Sequence, residues 1–488
     1  MNQIARASDS TVDSTSPVYG NQMIKICHVA ATSDGATWMF EQLRELRDRY
    51  NYDVVAVVSG SEGRLIDKLR SESIRYHVIN FAAGPGPFIE TLMMPFAILK
   101  LALFFRRERF DVIHHHIFIT MRIARPAAWL ADVPARLSML AGPFHLQART
   151  SRWIERMTYW MDTKLIPSCR ASAELCRDLG ISEKYLAPVV YYSPDERNFD
   201  PAKVAAADIR SQFGWPADTP VVCMVAFFYP RLSTGPWVPD DVKGRGIKGH
   251  GDLVKAAPLI LQEFPKTRFL LVGSGWGDAG ERYRDEVKEL VRQLNLESNV
   301  VFVGFRADAN QILRASDVAV QPSLNENLGG TLEALMLACP TVATRVGGLV
   351  DSVRDDTGVL VNPSDPKDLA RGILELLRDR KRARALGAAG RKLMLEQFTL
   401  QHTVRELDSI YKDLLERQRH RLGSYNLLTS FWRLLAGAPL FGLLAFRLFF
   451  LDGYVFHKLR TRLISRRQPG THSKTPKNGE VSQASPPI

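Results

Sequence analysis

Residues 299–348 read NVVFVGFRADANQILRASDVAVQPSLNENLGGTLEALMLACPTVATRVGG, and the alternation in this stretch leaves few folds open. Short β-branched runs at Val300–Val303, Val318–Gln321 and Thr341–Thr344 predict strands. Helical stretches at Asn310–Ala315 and Thr331–Ala338 separate them. Repetition of this kind predicts parallel βαβ units, whose strand-to-helix loops all open on one edge of the sheet. One such loop carries Glu326, Asn327, Gly329 and Gly330 just before a helix, with Glu333 in its first turn. Free amides at a helix N-terminus suit a phosphate, and the two carboxylates suit sugar hydroxyls.

The same alternation runs through the rest of the chain. Strands are predicted at Ile24–Ala30, Asp53–Ser59, Tyr76–Phe81, Asp111–His116 and Arg136–Leu140, with helices through Leu46 and over Gly63–Arg70. A continuous apolar run, Val221–Phe228, opens a second set, as expected of a parallel strand buried on both faces. Phe269–Gly277 follows, a strand running into Gly273-x-Gly275-x-Gly277. That glycine pattern is weak on its own, and no acidic residue ends a following strand about 20 residues on, which argues against a dehydrogenase. The boundaries predicted are a disordered tail (1–21), a first domain (22–192), a Pro- and Asp-rich linker (193–218), a second domain (219–398) and a disordered tail (468–488). An amphipathic helix spans Thr399–Glu416. The 18-residue apolar stretch Phe88–Phe105 is expected to pack as a helix on the first sheet. An alternative has its basic end, Arg106, Arg107 and Arg109, touching lipid headgroups.

At 488 residues the chain has room for two or three domains. Five cysteines without a Cys-x-x-Cys pair indicate neither a disulfide framework nor a zinc site. Of the net charge of +12, most lies at the end: residues 401–488 hold 14 Lys/Arg against 6 Asp/Glu. An anionic membrane surface fits that asymmetry. Nucleic acid does not, for want of interleaved stacking aromatics or a reader motif. Residues 425–467 contain a 13-residue apolar run, Leu434–Phe446, short of the ~20 needed to span a bilayer and flanked by Arg433 and Arg447. An interfacial helix or hairpin on the cytoplasmic face is the expectation, with a soluble core element as the alternative.

PSLNENLGGTLEALMLACPTVAT resembles the donor-site signature of glycosyltransferase family 4, the retaining GT-B enzymes also called glycosyl transferases group 1. The resemblance covers residues 22–416 and implies two facing Rossmann-like, doubly wound domains, with helix 399–416 packing back on the first. It implies transfer of a sugar from a nucleotide sugar with retention, the donor on the second domain and the acceptor on the first. By the same resemblance Glu326 lies near the donor sugar and Glu333 holds the donor ribose, although six residues separate them where seven are usual. Asn327, Gly329 and Gly330 complete that loop. Lys248 contacts the donor diphosphate together with Arg231 or, if the long loop before Lys248 displaces it, Arg245. Gly273 and Gly275 let the backbone approach a phosphate, and Phe305 edges the nucleobase. In DVIHHH, His116 approaches the donor sugar while His114 stays in the strand, and His145 is a further candidate for the acceptor cleft. The family's Gly-Gly-x-x-Glu segment has Asp351 at its end here.

Without an Asp-x-Asp signature in a suitable loop, no metal is expected, and Lys248 would stabilise the leaving diphosphate instead. The anchor suggests a lipid-linked acceptor in surface polysaccharide or glycolipid assembly. A sugar-nucleotide epimerase of the same fold and an inactive membrane-bound scaffold are the alternatives.

Overall fold

Two parallel sheets of six strands account for the apolar runs. The computed structural model describes residues 18–19, 22–79, 87–418 and 427–446. A short ladder pairs β1 (Val18–Tyr19) antiparallel with β2 (Gln22–Met23). The first sheet holds β3 (Lys25–Ala30), β4 (Asp53–Val58), β5 (Arg75–Val78), β6 (Val112–His116), β7 (Ala135–Leu140) and β8 (Lys164–Pro167), in spatial order β5-β4-β3-β6-β7-β8. The second holds β9 (Val221–Val225), β10 (Arg268–Val272), β11 (Val300–Gly304), β12 (Val318–Gln321), β13 (Thr341–Thr344) and β14 (Val359–Val361), in order β11-β10-β9-β12-β13-β14. Strand order reverses at β3/β6 in one sheet and at β9/β12 in the other. A crevice opens outside the strand carboxyl ends at such a switch point, and this is where ligands bind in sheets of this class.

Helices cover both faces, so the strands read as continuous apolar runs rather than alternating ones. One side of the first sheet packs Ile26, Val54 and Leu137 against Leu43 and Leu46 of helix Thr37–Tyr50. The amphipathic helix near the end of the chain, Leu400–Arg417, joins the same cluster through Val404, Leu407, Tyr411, Leu414 and Leu415. A helix late in the sequence thus completes the core of the first domain. The other side receives helix Pro87–Glu108, which buries Ile98, Leu101 and Phe105 and leaves Phe96, Leu99 and Leu103 exposed.

One expectation changes in detail. The segment 193–218 is no free linker, because Phe199, Val204, Ile209, Phe213 and Trp215 pack into the second domain's core. Apolar residues spaced through a Pro- and Asp-rich stretch were the signal. Of the segment 425–467, helix Leu427–Phe446 is described. Its Arg433 pairs with Asp132 at 2.7 Å, and Leu440 packs beside the first domain's cluster. Among the described residues, no helix is long and apolar enough to cross a membrane. Residues 447–467, the tail 468–488 and all of the tail 1–21 except Val18 and Tyr19 lie outside the described residues.

Candidate active site

A cleft of about 510 Å³ lies between the carboxyl edges of the two sheets. From the second domain it is lined by Tyr229, Lys248, Glu326, Asn327, Gly329 and Glu333, and from the first by Trp38, Glu41, Lys68, Gly142 and Tyr192.

The loop between β12 and helix Thr331–Met336 builds the second domain's wall of the cleft. Gly329 takes φ +54°, a left-handed turn that brings the loop back to the helix. Glu326 is held from several sides. Lys248 Nζ lies 2.5 Å from its Oε2, Ser323 Oγ donates at 3.0 Å, and the backbone N–H of Asn327 donates to Oε1 at 3.2 Å. Lys248 reaches this position because Gly249 turns at φ +76°, where an added Cβ would meet the Pro322 carbonyl oxygen at 1.9 Å. Burial tends to lower the Lys248 pKa, but the Glu326 carboxylate outweighs it and holds the ammonium above its usual range.

Glu333 is the contrasting carboxylate. It is partly buried in the first turn of its helix, and burial pushes its pKa up to about 7. Among the described residues, no cation and no hydrogen-bond donor reaches its side chain. A cleft-lining carboxylate poised near neutrality and lacking a partner is a ready acceptor for ligand hydroxyls.

Other residues expected at the site do not line the cleft. Arg231 Nε pairs with Glu286 at 2.5 Å on the exposed outer side, and Arg245 turns to Asp252 at 3.4 Å. Neither lines the cleft, because the long loop before Lys248 carries both towards helix carboxylates. Gly273 and Gly275 serve packing: a Cβ would lie 2.0 Å from the Ala226 carbonyl oxygen and 2.1 Å from Glu281 N. Their amides are already spent on Gly304 O (2.8 Å) and Glu281 Oε1 (2.7 Å). Gly330 caps the helix N-terminus beside Gly329. Phe305 is 55% exposed, near-parallel to Phe227, with the Arg64 guanidinium of the first domain 5.4 Å from its ring.

His116 is fully buried, and both of its ring nitrogens are engaged, by Tyr192 Oη at 2.8 Å and by His28 Nδ1 at 3.1 Å. It stands behind the cleft wall and offers no free nitrogen to a sugar. His114 shares its strand face. His115 points the opposite way, to Asp162 at 3.2 Å, as strand alternation requires. His145 is buried against Phe118.

The first-domain wall went unread in the sequence. Lys68 is the second cation on the cleft, paired with Glu41 at 3.0 Å, and Trp38 packs on Tyr192 with ring centroids 4.2 Å apart. Polar residues on an amphipathic helix look alike whether they face solvent or a cleft, so nothing in the pattern singled these out.

Contacts between domains close the cleft's ends. Ser168 Oγ donates to Asn327 Oδ1 (2.9 Å), and Asn325 Nδ2 donates to Gln147 Oε1 (2.5 Å). Arg170 meets buried Asp351 through its backbone N–H (2.8 Å) and its Nε (2.7 Å). The loop before Lys248 also reaches across. Pro236 O accepts from Thr150 N at 3.3 Å, and Trp237 packs over Arg122 and Phe118.

Comparison with known proteins places the two halves separately. Residues 245–393 match the family model described as glycosyl transferases group 1, and residues 34–189 match that of the glycosyl transferase 4-like domain. Together the matches take up more than half of the chain. An N-acetyl-alpha-D-glucosaminyl L-malate synthase of Bacillus anthracis is 30% identical over 178 residues, which is 36% of this chain and only 45% of that protein. A UDP-Gal:alpha-D-GlcNAc-diphosphoundecaprenol alpha-1,3-galactosyltransferase of Escherichia coli is 25% identical over 409 residues, 80% of this chain and 97% of that one. Among solved structures, Anabaena Alr3699/HepE in complex with UDP and glucose superposes with a TM-score of 0.63 at 20% identity, covering 80% of this chain and 100% of that one. At that identity the likeness concerns the fold.

Proposed function

Since the chain belongs to glycosyltransferase family 4, the retaining GT-B enzymes, we propose that it moves a sugar from a nucleotide sugar on the second domain to an acceptor on the first. The observation that carries this reading is the pair of unlike carboxylates that follow β12, one on its loop and one in the first turn of the next helix. Glu326 is neutralised by Lys248, and Glu333 is left open to the cleft. Glu333 then accepts the donor ribose hydroxyls. Lys248 shifts from Glu326 towards the diphosphate as the glycosidic bond breaks and negative charge builds on the leaving group. With Lys248 in that role and Lys68 facing it, we expect transfer to need no divalent cation.

The acceptor we favour is a polyprenyl-diphosphate saccharide. The galactosyltransferase relative acts on such a lipid by its name, and an apolar side of this molecule suits a membrane surface. Phe96 and Leu103 on helix Pro87–Glu108 are exposed, as are Leu428, Phe431 and Trp432 on helix Leu427–Phe446. The two helices meet where Arg106 Nη1 donates to Ser430 Oγ at 2.9 Å. Peripheral attachment to the cytoplasmic face follows as part of the proposal.

The experiment is a panel of UDP- and GDP-sugars with a short-chain polyprenyl-diphosphate saccharide, with and without EDTA, reading released nucleoside diphosphate. Formation of an epimer without acceptor would point to the epimerase alternative. Absence of both turnover and nucleotide binding would leave only a scaffold. Fractionation of the full chain against a version ending at Gln418 checks attachment. If both stay soluble in low salt without detergent, the membrane-facing part of the proposal is wrong.

A further inference from the structure

Three imidazoles from two strands meet behind the cleft wall. His28 comes from β3, and His114 and His116 from β6, with His28 in register with His114. All three are fully buried, at ring-centroid distances of 4.2 to 4.9 Å. Their polar atoms form a single file with two tyrosines. Tyr192 Oη lies 2.8 Å from His116 Nδ1, and His116 Nε2 lies 3.1 Å from His28 Nδ1. His28 Nε2 then lies 3.1 Å from Tyr411 Oη, which lies 2.6 Å from His114 Nδ1. His114 Nε2 ends the file, buried and without a partner.

Proton counting restricts this file strongly. Burial, above all, depresses the pKa of each imidazole, so all three are neutral and carry one N–H apiece. Two arrangements then fill every link with one proton and keep the Tyr411 hydroxyl proton in use. In one, Tyr192 donates to His116, so its oxygen is left to accept from a ligand. In the other, His116 donates to Tyr192, whose own proton is left for a ligand. Passing between them changes all three tautomers together.

The open end of the file is an aromatic wall. Tyr192 and Trp38 both line the cleft, and Trp38 stands edge-on to His116 at 4.8 Å, with the Glu41 carboxylate one helical turn on. A flat apolar face beside a hydroxyl and a carboxylate matches the CH face and hydroxyls of a saccharide.

We propose that the Trp38–Tyr192 wall takes the acceptor saccharide, and that His116, His28, Tyr411 and His114 form a positioning relay. The relay sets, as one unit, whether the Tyr192 hydroxyl donates to that saccharide or accepts from it. This rests on glycosyl transfer as proposed above. Tyr192 touches substrate, and His116 acts through it. The same bonds weigh against a metal site. One nitrogen from each ring can be found within 4.8 Å of the others. Zinc, however, needs bonds of about 2.0–2.1 Å, and hydrogen bonds already occupy five of the six ring nitrogens.

Tyr411→Phe removes two of the four links, those to His28 and His114, far from the cleft. In full-length protein labelled with ¹⁵N-histidine, the ring resonances of His116, two links away, should move along with those of His28 and His114. With a UDP-sugar and a short-chain polyprenyl-diphosphate N-acetylglucosamine in detergent, the acceptor KM should rise roughly five- to tenfold while UDP affinity is unchanged. Tyr192→Phe should do the same, and the double variant should be no worse than either single one. Unmoved His116 resonances overturn the relay whatever the acceptor proves to be, as does a stoichiometric transition metal in the purified protein. An unchanged acceptor KM in Tyr192→Phe overturns the saccharide wall. A wild-type protein that transfers nothing removes the wall together with the proposed function, and the spectra still decide the relay.

Discussion

At the scale of single residues, Glu333 and Lys248 carry opposite kinds of information. Burial raises the Glu333 pKa from an ordinary 4.5 to about 7. A carboxylate that must be ionised to accept hydrogen bonds from two hydroxyls will therefore bind the nucleotide donor more tightly as pH rises. We predict that the donor Kd falls roughly tenfold between pH 6 and 8, and that Glu333→Gln is weaker and flat over this range. A wild-type Kd independent of pH would dismiss Glu333 as the ribose partner. Without ligand the sign is the reverse. The raised pKa contributes stability that is fully present below pH 4.5 and is lost as pH climbs through 7. For Lys248→Ala the loss belongs in kcat, by about 100- to 1,000-fold, because leaving-group charge peaks in the transition state. Steady-state kinetics showing a kcat near wild type would take Lys248 out of the mechanism. Alternation placed both beside strand-to-helix junctions, and the family resemblance singled them out there; the structure puts both on the cleft. Arg231 and Gly273 were not legible, since a cation's partner and a glycine's reason depend on chain segments distant in sequence. The imidazole of His116 was placed on the right strand end, but its depth behind Trp38 and Tyr192 had no local sign.

At the scale of elements, helix Leu400–Arg417 matters more than its place in the sequence suggests. Its buried Leu407 touches the cluster that also holds Ile26 and Leu43. Its Asp408 accepts from the Tyr52 hydroxyl at 2.7 Å, and its Thr403 Oγ1 donates to Tyr191 O at 2.7 Å. Leu407→Ala should destabilise the first domain by about 2–5 kcal/mol. Urea unfolding followed in that domain checks this, and an unshifted midpoint would mean that the helix is an accessory. Periodicity announced the helix, since five apolar residues share one side. Which domain that side faces was implied only by family resemblance, because an apolar stripe does not name its partner. The loop before Lys248 illustrates the opposite case. It reads in the sequence only as a long loop, and its reach across the cleft to Thr150 and Arg122 has no local sign.

At the scale of the whole molecule, the closed cleft depends on a few polar contacts between domains, of which Arg170–Asp351 is ion-paired and half-shielded. Asp351→Ala removes a pair of charged hydrogen bonds worth about 1.5–3 kcal/mol each at most. The unliganded variant should expand in small-angle scattering and lose several-fold in kcat/KM. An identical radius of gyration with full activity would show that closure does not rely on this latch. The chain crosses between domains twice, and the crossings run side by side, with the rings of Tyr191 and Phe398 4.3 Å apart. Since one wall of the first domain's core arrives only with residues 400–417, that domain is discontinuous in sequence. During synthesis at about 5–20 residues per second, it waits roughly 10–45 s after residue 191 for its missing wall. Over that interval the groove that will receive Val404, Leu407 and Leu414 lies open, while the second domain is made and folds. Such a protein should need a chaperone more at the ribosome than after release. Nascent chains arrested before residue 400 should be cut by protease within 22–192, where the finished protein resists.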